Sequence, residues 1–158
     1  MPEKSRKVSE YMKTEVVTVP KTAVMKEAIE IMITKKTNGL VVIDENNKVV
    51  GILSSWDIIQ YVVPDYLEDD KHLASFEAGD LFGKRVTQLA EDSITKFMTS
   101  QVHSVHPDSS LMEAASTLSE FHIRQLPVID NTGSLVGYLN RTDIKKAFAE
   151  VLGINNPT

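Results

Sequence analysis

The chain has 158 residues, 42% hydrophobic and 25% charged, with a formal net charge of -5 and no cysteine. That size and balance suit a soluble domain with a sizeable core, and the lack of cysteine excludes disulfides, thiolate nucleophiles and thiolate zinc sites. The first residues are charged and no apolar run approaches the roughly 20 residues of a membrane span, so the sequence predicts a cytoplasmic protein with neither signal peptide nor transmembrane helix.

In chain order, Val8 to Met12 reads as a short helical turn, and Val16-Val17-Thr18-Val19, β-branched and closed by Pro20, as a strand. Met25, Ala28, Ile29, Met32 and Ile33 recur at helical spacing on one face. Leu40 to Ile43 is a continuous apolar run suited to a buried strand. Asp44 to Asn47 has turn chemistry, and Val49 to Leu53 predicts a second, antiparallel strand. Ile58, Ile59, Tyr61 and Val62 mark a helix stopped by Pro64. The unit so far is β-α-β-β-α.

Pro64 to Asp92 breaks the pattern. It holds eight acids (Asp65, Glu68, Asp69, Asp70, Glu77, Asp80, Glu91, Asp92) against three bases (Lys71, Lys84, Arg85), which accounts for the whole charge excess. Gly79 and Gly83 act as breakers, and helices are expected over Leu67 to Phe76 and Lys84 to Glu91. Self-repelling carboxylates predict a mobile segment with little to pack against. They also disfavour phosphate-backbone binding, so no nucleic-acid partner is expected, and Lys4, Arg6 and Lys7 read as a solvated tail.

After this insert the first pattern returns. Val102 to Val105 predicts a strand, and Leu111, Ala114, Ala115, Leu118 and Phe121 a helical face. Leu126 to Ile129 and Leu135 to Leu139 predict strands around the turn Asn131-Thr132-Gly133. Ile144, Ala147, Phe148, Val151 and Leu152 predict a last helix ended by Gly153. Met12 and Met98, Ala28 and Ala114, Asp44 and Asp130, Gly51 and Gly137, and Asp57 and Asp143 are all separated by 86 positions. One supersecondary unit is therefore used twice. The expected organisation is an α/β (α+β) fold with a first repeat over 8–63, the acidic insert over 64–92 and a second repeat over 93–153.

Each repeat ends its strand pair with a helix start of one design, Gly51 to Asp57 and Gly137 to Asp143. A helix cap explains much of it. Ser54 and Asn140 are favoured N-cap residues, and an acid three positions on completes a capping box at the positive end of the helix dipole. Arg141 is left over, because a cation at the first helical position is disfavoured unless an anion lies near. The functional alternative is a phosphate at the helix N-terminus and a ribose diol held by Asp57 or Asp143, a common way of holding a nucleoside. His103 and His106 lie three apart across a strand end, on opposite faces, so no metal site is expected. Met12, Met25, Met32, Met98 and Met112 read as packing, and Trp56 as a packing residue or a dimer anchor. No nucleophile-base or carboxylate pair suggests turnover, so the chain is not expected to be an enzyme or to carry a catalytic cofactor.

These stretches resemble the tandem CBS domain pair, or Bateman module. The carriers are Met12 and Met98, Pro107 to Ala114, His122 to Asp130 and the two Gly-to-Asp stretches, and only Pro64 to Asp92 lies outside. The resemblance implies two β-α-β-β-α repeats joined through their sheets about a pseudo-two-fold axis. It also implies two clefts that in many members bind AMP, ADP, ATP or another adenosyl compound, and a disc-shaped homodimer. The family's ribose-binding acid falls on Asp57 and Asp143, and its Ser/Thr on Ser54, with Asn140 in the second copy. Its basic phosphate contact falls on Arg124, where the first copy has Asn38, and Val41 stands where the second copy has Pro127. In that family the repeats face each other, so the better-equipped cleft combines Ser54 and Asp57 with Arg124 and His122. Asn38, Asn140, Arg141 and Asp143 complete the candidate set. The expected function is a stand-alone regulatory module that binds an adenosine nucleotide and signals through its dimer to a regulated partner. The alternative is a structural or protein-interaction module with no nucleotide.

Overall fold

The β-branched runs form strands and the runs of helical spacing form helices in the computed structural model, which describes residues 5–69 and 79–155. The chain divides into two compact units, one of Val17–Glu45 with Val50–Val102 and one of Met1–Val16, Asn46–Val49 and His103–Thr158.

In the first of these, β1 (Thr18–Pro20), α1 (Met25–Lys35), β2 (Gly39–Ile43), β3 (Val49–Ser54) and α2 (Ser55–Val62) follow the expected order. The sheet order is β1-β2-β3, with β1 parallel to β2 and Val19 opposite Val42. β1 begins at Thr18 rather than Val16, although Val41 N–H still reaches back to the Val17 carbonyl at 3.2 Å. α1 ends on Lys36 in the left-handed region, φ 54°, whose N–H meets the last-turn carbonyls. Val19, Ala28, Met32, Leu40, Val42, Leu53 and Ile94 form the core of this unit.

The insert supplies α3 (Asp65–Asp69) and α4 (Leu81–Leu89). The helix expected over Leu67 to Phe76 lies, beyond residue 69, outside the described residues. Residues 80–92 have more to pack against than their composition suggests. Asp80 caps α4 by accepting from Gly83 N–H at 2.9 Å. Arg85 donates from Nε to the Val62 carbonyl at 2.9 Å and from Nη2 to the Tyr61 carbonyl at 3.3 Å, placing a cation on the negative end of α2. Tyr61 donates to Asp92 at 2.5 Å and stacks on Phe97 with centroids 4.5 Å apart. Specific partners, not net charge, decide the packing of this half.

In the other unit, α5 (Leu111–Glu120), β4 (Gln125–Ile129), β5 (Leu135–Asn140) and α6 (Arg141–Leu152) repeat the order. β4 and β5 are antiparallel, with Leu126 opposite Leu139. The strand expected over Val102 to Val105 does not form. Only Val105 bridges in parallel to Val128, 86 positions on from the Val19–Val42 pair. Pro127 gives the physical reason: it stands where Val41 donates to Val17, and proline has no N–H to donate. Val8, Val105, Leu111, Ala114, Leu118, Leu126, Val128, Leu139, Ile144 and Ala147 form the core.

Each unit thus combines the body of one repeat with the leading segment of the other. Val8, fully buried, lies in the core with Leu111 and Leu126, and Ile94, its counterpart 86 positions on, lies in the core with Leu40 and Leu53. Burying a side chain of this size contributes about 1.5–3 kcal/mol. The hydrogen bonds repeat as well. Val8 N–H donates to Ser109 O at 2.9 Å and Leu111 N–H to Arg6 O at 2.8 Å, while Ile94 N–H donates to Ala23 O at 3.1 Å and Met25 N–H to Asp92 O at 3.0 Å.

Tyr138, on β5, is mostly buried; burial pushes its phenol well above the ordinary value of about 10, and the nearby Asp143 charge adds to the shift. The unfolded tyrosine ionises near pH 10 while the folded one stays protonated. Its stabilising contribution is therefore fully present below pH about 10 and is lost as pH rises beyond it. Melting temperature is expected to fall above pH about 10, and to fall less steeply in Tyr138→Phe. Parallel slopes in the two proteins would assign the alkaline loss to other groups.

Candidate functional site

The start of α2 is built by local chemistry. Ser54 takes extended backbone (φ -116°, ψ 163°), and its Oγ accepts from Asp57 N–H at 3.2 Å. Asp57 Oδ2 accepts in return from Ser54 N–H at 2.9 Å and Ser54 Oγ at 3.1 Å. This is the reciprocal capping box that the spacing predicts. The other oxygen, Oδ1, receives a 3.3 Å contact from the Thr99 hydroxyl, and Asp57 is only half-buried. Asn38, exposed, is held beside this helix start because its carbonyl accepts from Ser55 N–H at 2.9 Å.

The start of α6 has the same box with a different outcome. Asn140 Oδ1 accepts from Asp143 N–H at 3.1 Å and Asp143 Oδ2 accepts from Asn140 N–H at 2.9 Å. Asp143 Oδ1, however, is ion-paired with Lys13 Nζ at 2.7 Å, and Asp143 is 2% exposed. Arg141 is the first helical residue and is exposed; its N–H donates to the Arg124 carbonyl at 3.2 Å. Arg124 is itself exposed just ahead of β4, and His122, exposed, takes a left-handed backbone, φ 53°. Asn140, Arg141, Asp143, His122 and Arg124 therefore share one unit, and Ser54, Asp57 and Asn38 the other.

Thr99 and Lys13 were not among the candidates expected from sequence. The signal that finds them is the register: they follow Met98 and Met12 and are 86 positions apart. Each pairs in both directions with a strand residue through its backbone. Lys13 N–H donates to Tyr138 O at 2.8 Å and the Lys13 carbonyl accepts from Tyr138 N–H at 2.9 Å, while Thr99 and Ile52 exchange bonds of 2.8 and 2.9 Å. Those bonds carry Lys13 to Asp143 and Thr99 to Asp57.

Among the described residues no group of His, Asp and Glu could hold a metal, and no helix is long and apolar enough to cross a membrane. His103 stacks on Phe121 with centroids 3.7 Å apart, and His106 Nδ1 lies 2.9 Å from the Ile129 carbonyl.

Two copies of one mixed α+β unit, each closing on a strand followed by a helix capped by an acid, define a tandem-repeat module with two helix starts of one design. The chain belongs to the CBS domain family, which matches residues 8–64 and 92–150 and leaves 65–91 of the insert outside. It is similar to the chloroplastic CBS domain-containing protein CBSX1 of Arabidopsis thaliana, 30% identical over 156 residues, covering 91% of this chain and 64% of the relative. It is 28% identical over 138 residues to chloroplastic CBSX2 of the same plant, covering 84% of this chain and 58% of the relative. The chain therefore spans about three fifths of the length of these curated relatives. The crystal structure of CBSX2 in complex with AMP superposes with a TM-score of 0.71 at 26% identity, over 93% of this chain and 98% of that one. A structure of the CBS domain pair of protein MJ0100, in complex with 5′-methylthioadenosine and S-adenosyl-L-methionine, has a TM-score of 0.66 at 27% identity, over 90% and 98%. The family also occurs inside enzymes. A homoserine O-acetyltransferase of Methanohalobium evestigatum is 24% identical over 143 residues, which cover 24% of its length.

Proposed function

We propose that the chain is a regulatory module, without turnover of its own, that binds an adenosine nucleotide such as AMP, ADP or ATP. The observation that carries the reading is Asp57, a half-buried carboxylate at a helix N-terminus whose Oδ1 has, among the described residues, only a 3.3 Å hydroxyl contact from Thr99. A carboxylate oxygen so placed suits a ribose diol, the group common to AMP, methylthioadenosine and S-adenosylmethionine, which the similar structures hold. Ser54 completes that helix start. Arg124, an exposed guanidinium, is the proposed phosphate contact, with His122 beside it in sequence.

A thermal-shift panel of AMP, ADP, ATP, S-adenosylmethionine and NADH tests the reading. A ligand at about 100 times its dissociation constant adds roughly 2.7 kcal/mol, on the order of 5 to 10 °C for a domain of this size. No shift with any of them would favour the second reading, a protein-interaction module. That reading draws support from the two capping boxes, in which both acids already have a structural task.

The module is further proposed to act as a homodimer. Ile33, Trp56 and Ile59 are 72%, 63% and 53% exposed, and Ile33 and Ile59 line a groove of about 350 Å³ whose apolar wall is completed by Ile29, Met32 and Ile58 and whose polar rim includes Lys36, Thr37, Asn38 and Ser55. An apolar patch of this kind is unusual on a monomer. Mass in solution is expected near twice 17.6 kDa, and Trp56→Glu is expected to shift it to the monomer value. A native monomer at micromolar concentration would leave the patch to another partner.

A further inference from the structure

The two repeats offer a ligand different acids, and the difference traces to one position. At the start of α2 the neighbour from the leading segment is Thr99, a neutral hydroxyl 3.3 Å from Asp57 Oδ1. At the start of α6 the residue 86 positions earlier is Lys13, whose ammonium lies 2.7 Å from Asp143 Oδ1. Both oxygens of Asp143 are then engaged, one by Asn140 N–H and one by Lys13, and the Asp143 side chain is 3% exposed. The Lys13 side chain is itself 44% exposed, so its ammonium covers the carboxylate from the solvent side, and a ribose diol could reach Asp143 only by displacing that charge-assisted bond. Asp57 asks for no such exchange, because a 3.3 Å hydroxyl contact yields readily to a better donor.

We propose that Lys13 silences the acid of the second repeat, so that the chain holds one adenosyl ligand, through Asp57, rather than two. Lys13 acts as a specificity-determining residue: it is an internal cation that occupies the place a diol would take. The inference rests on the adenosine-nucleotide reading above. It leaves Asp143 two structural tasks, as the third helical residue that closes the capping box with Asn140 and as the partner of Lys13, which joins the segment after Met12 to α6.

The test is calorimetric titration of AMP into the native chain, Asp57→Asn, Lys13→Thr and the double variant Lys13→Thr/Asp57→Asn. Threonine is chosen because it is the residue at the equivalent position, Thr99. The native chain is expected to bind about one AMP, Asp57→Asn to lose that binding by at least about tenfold, Lys13→Thr to bind about two, and the double variant to keep about one. Two equivalent sites in the native chain would overturn the inference while leaving the nucleotide reading intact. So would a single site in Lys13→Thr that Asp57→Asn removes. An absence of binding in all four proteins, with S-adenosylmethionine and ATP as well as AMP, would overturn the nucleotide reading itself and this inference with it. The native and Asp57→Asn stoichiometries decide the first point even if Lys13→Thr melts too low to be titrated.

Discussion

Asp57→Asn is expected to weaken AMP and adenosine alike, by about 10- to 100-fold, because a neutral amide replaces charge-assisted bonds to the diol worth on the order of 1.5–3 kcal/mol. Both ligands carry the diol, so neither is spared. The fold should tolerate the change, since an amide oxygen at this position can still accept from Ser54 N–H as Asp57 Oδ2 does at 2.9 Å. Stability is expected to fall by no more than about 1 kcal/mol. Arg124→Gln makes the complementary test: it should weaken AMP strongly and adenosine hardly at all, since only AMP has a phosphate to meet the guanidinium. Titration and melting curves on the same samples separate the outcomes. A loss of stability with affinity unchanged would make Asp57 a helix cap and nothing more. Equal loss of adenosine and AMP in Arg124→Gln would remove the arginine from the phosphate.

Gly137→Ala is expected to destabilise the chain by about 2–3 kcal/mol, and Gly51→Ala by about 1 kcal/mol, although the two glycines occupy equivalent places. A Cβ on Gly137 would lie 2.6 Å from Met12 Sδ and 3.0 Å from the Lys13 carbonyl oxygen. The three atoms nearest to a Cβ on Gly51 all belong to the Met98 side chain, the closest also at 2.6 Å. A methionine side chain can turn aside, because it has three soft torsions. The Lys13 carbonyl cannot, because it accepts from Tyr138 N–H at 2.9 Å and is fixed by that bond. Chemical denaturation of both variants measures the difference. Met12→Ala added to Gly137→Ala should recover only part of the loss, and equal losses at the two glycines would show that the backbone of the leading segment yields as easily as a side chain.

Much of the site was legible in the sequence because capping is local. Ser54 and Asp57, or Asn140 and Asp143, are three positions apart, and that spacing brings side chain and backbone together in any helix that starts there. The helices themselves were legible for the same reason: their apolar positions repeat every three or four residues. Even the failure of the strand before Val105 was written in Pro127, whose missing N–H removes the partner that Val41 supplies in the first copy. The docking of α4 was less visible. Arg85 meets the Val62 and Tyr61 carbonyls across more than twenty positions, and acidic composition around it points the other way.

The sequence alone determined the repeat, its register of 86, the order of elements in each copy apart from the strand expected over Val102 to Val105, and the identity of the two capped helix starts. Periodicity, turn chemistry and caps act within a few residues, so they can be read without knowing any long-range contact. Only the tertiary structure decided which leading segment serves which repeat. Val8 and Lys13, early in the chain, are built into the unit of the second repeat, and Ile94 and Thr99 into that of the first. Backbone bonding along a strand accepts any extended segment with the right groups; the choice is made by the fit of Val8 or Ile94 in a core and of Met12 or Met98 against a glycine. That choice brings Lys13 to Asp143 across 130 positions and leaves Asp57 with a threonine, the one difference between the two acids that no local pattern contains.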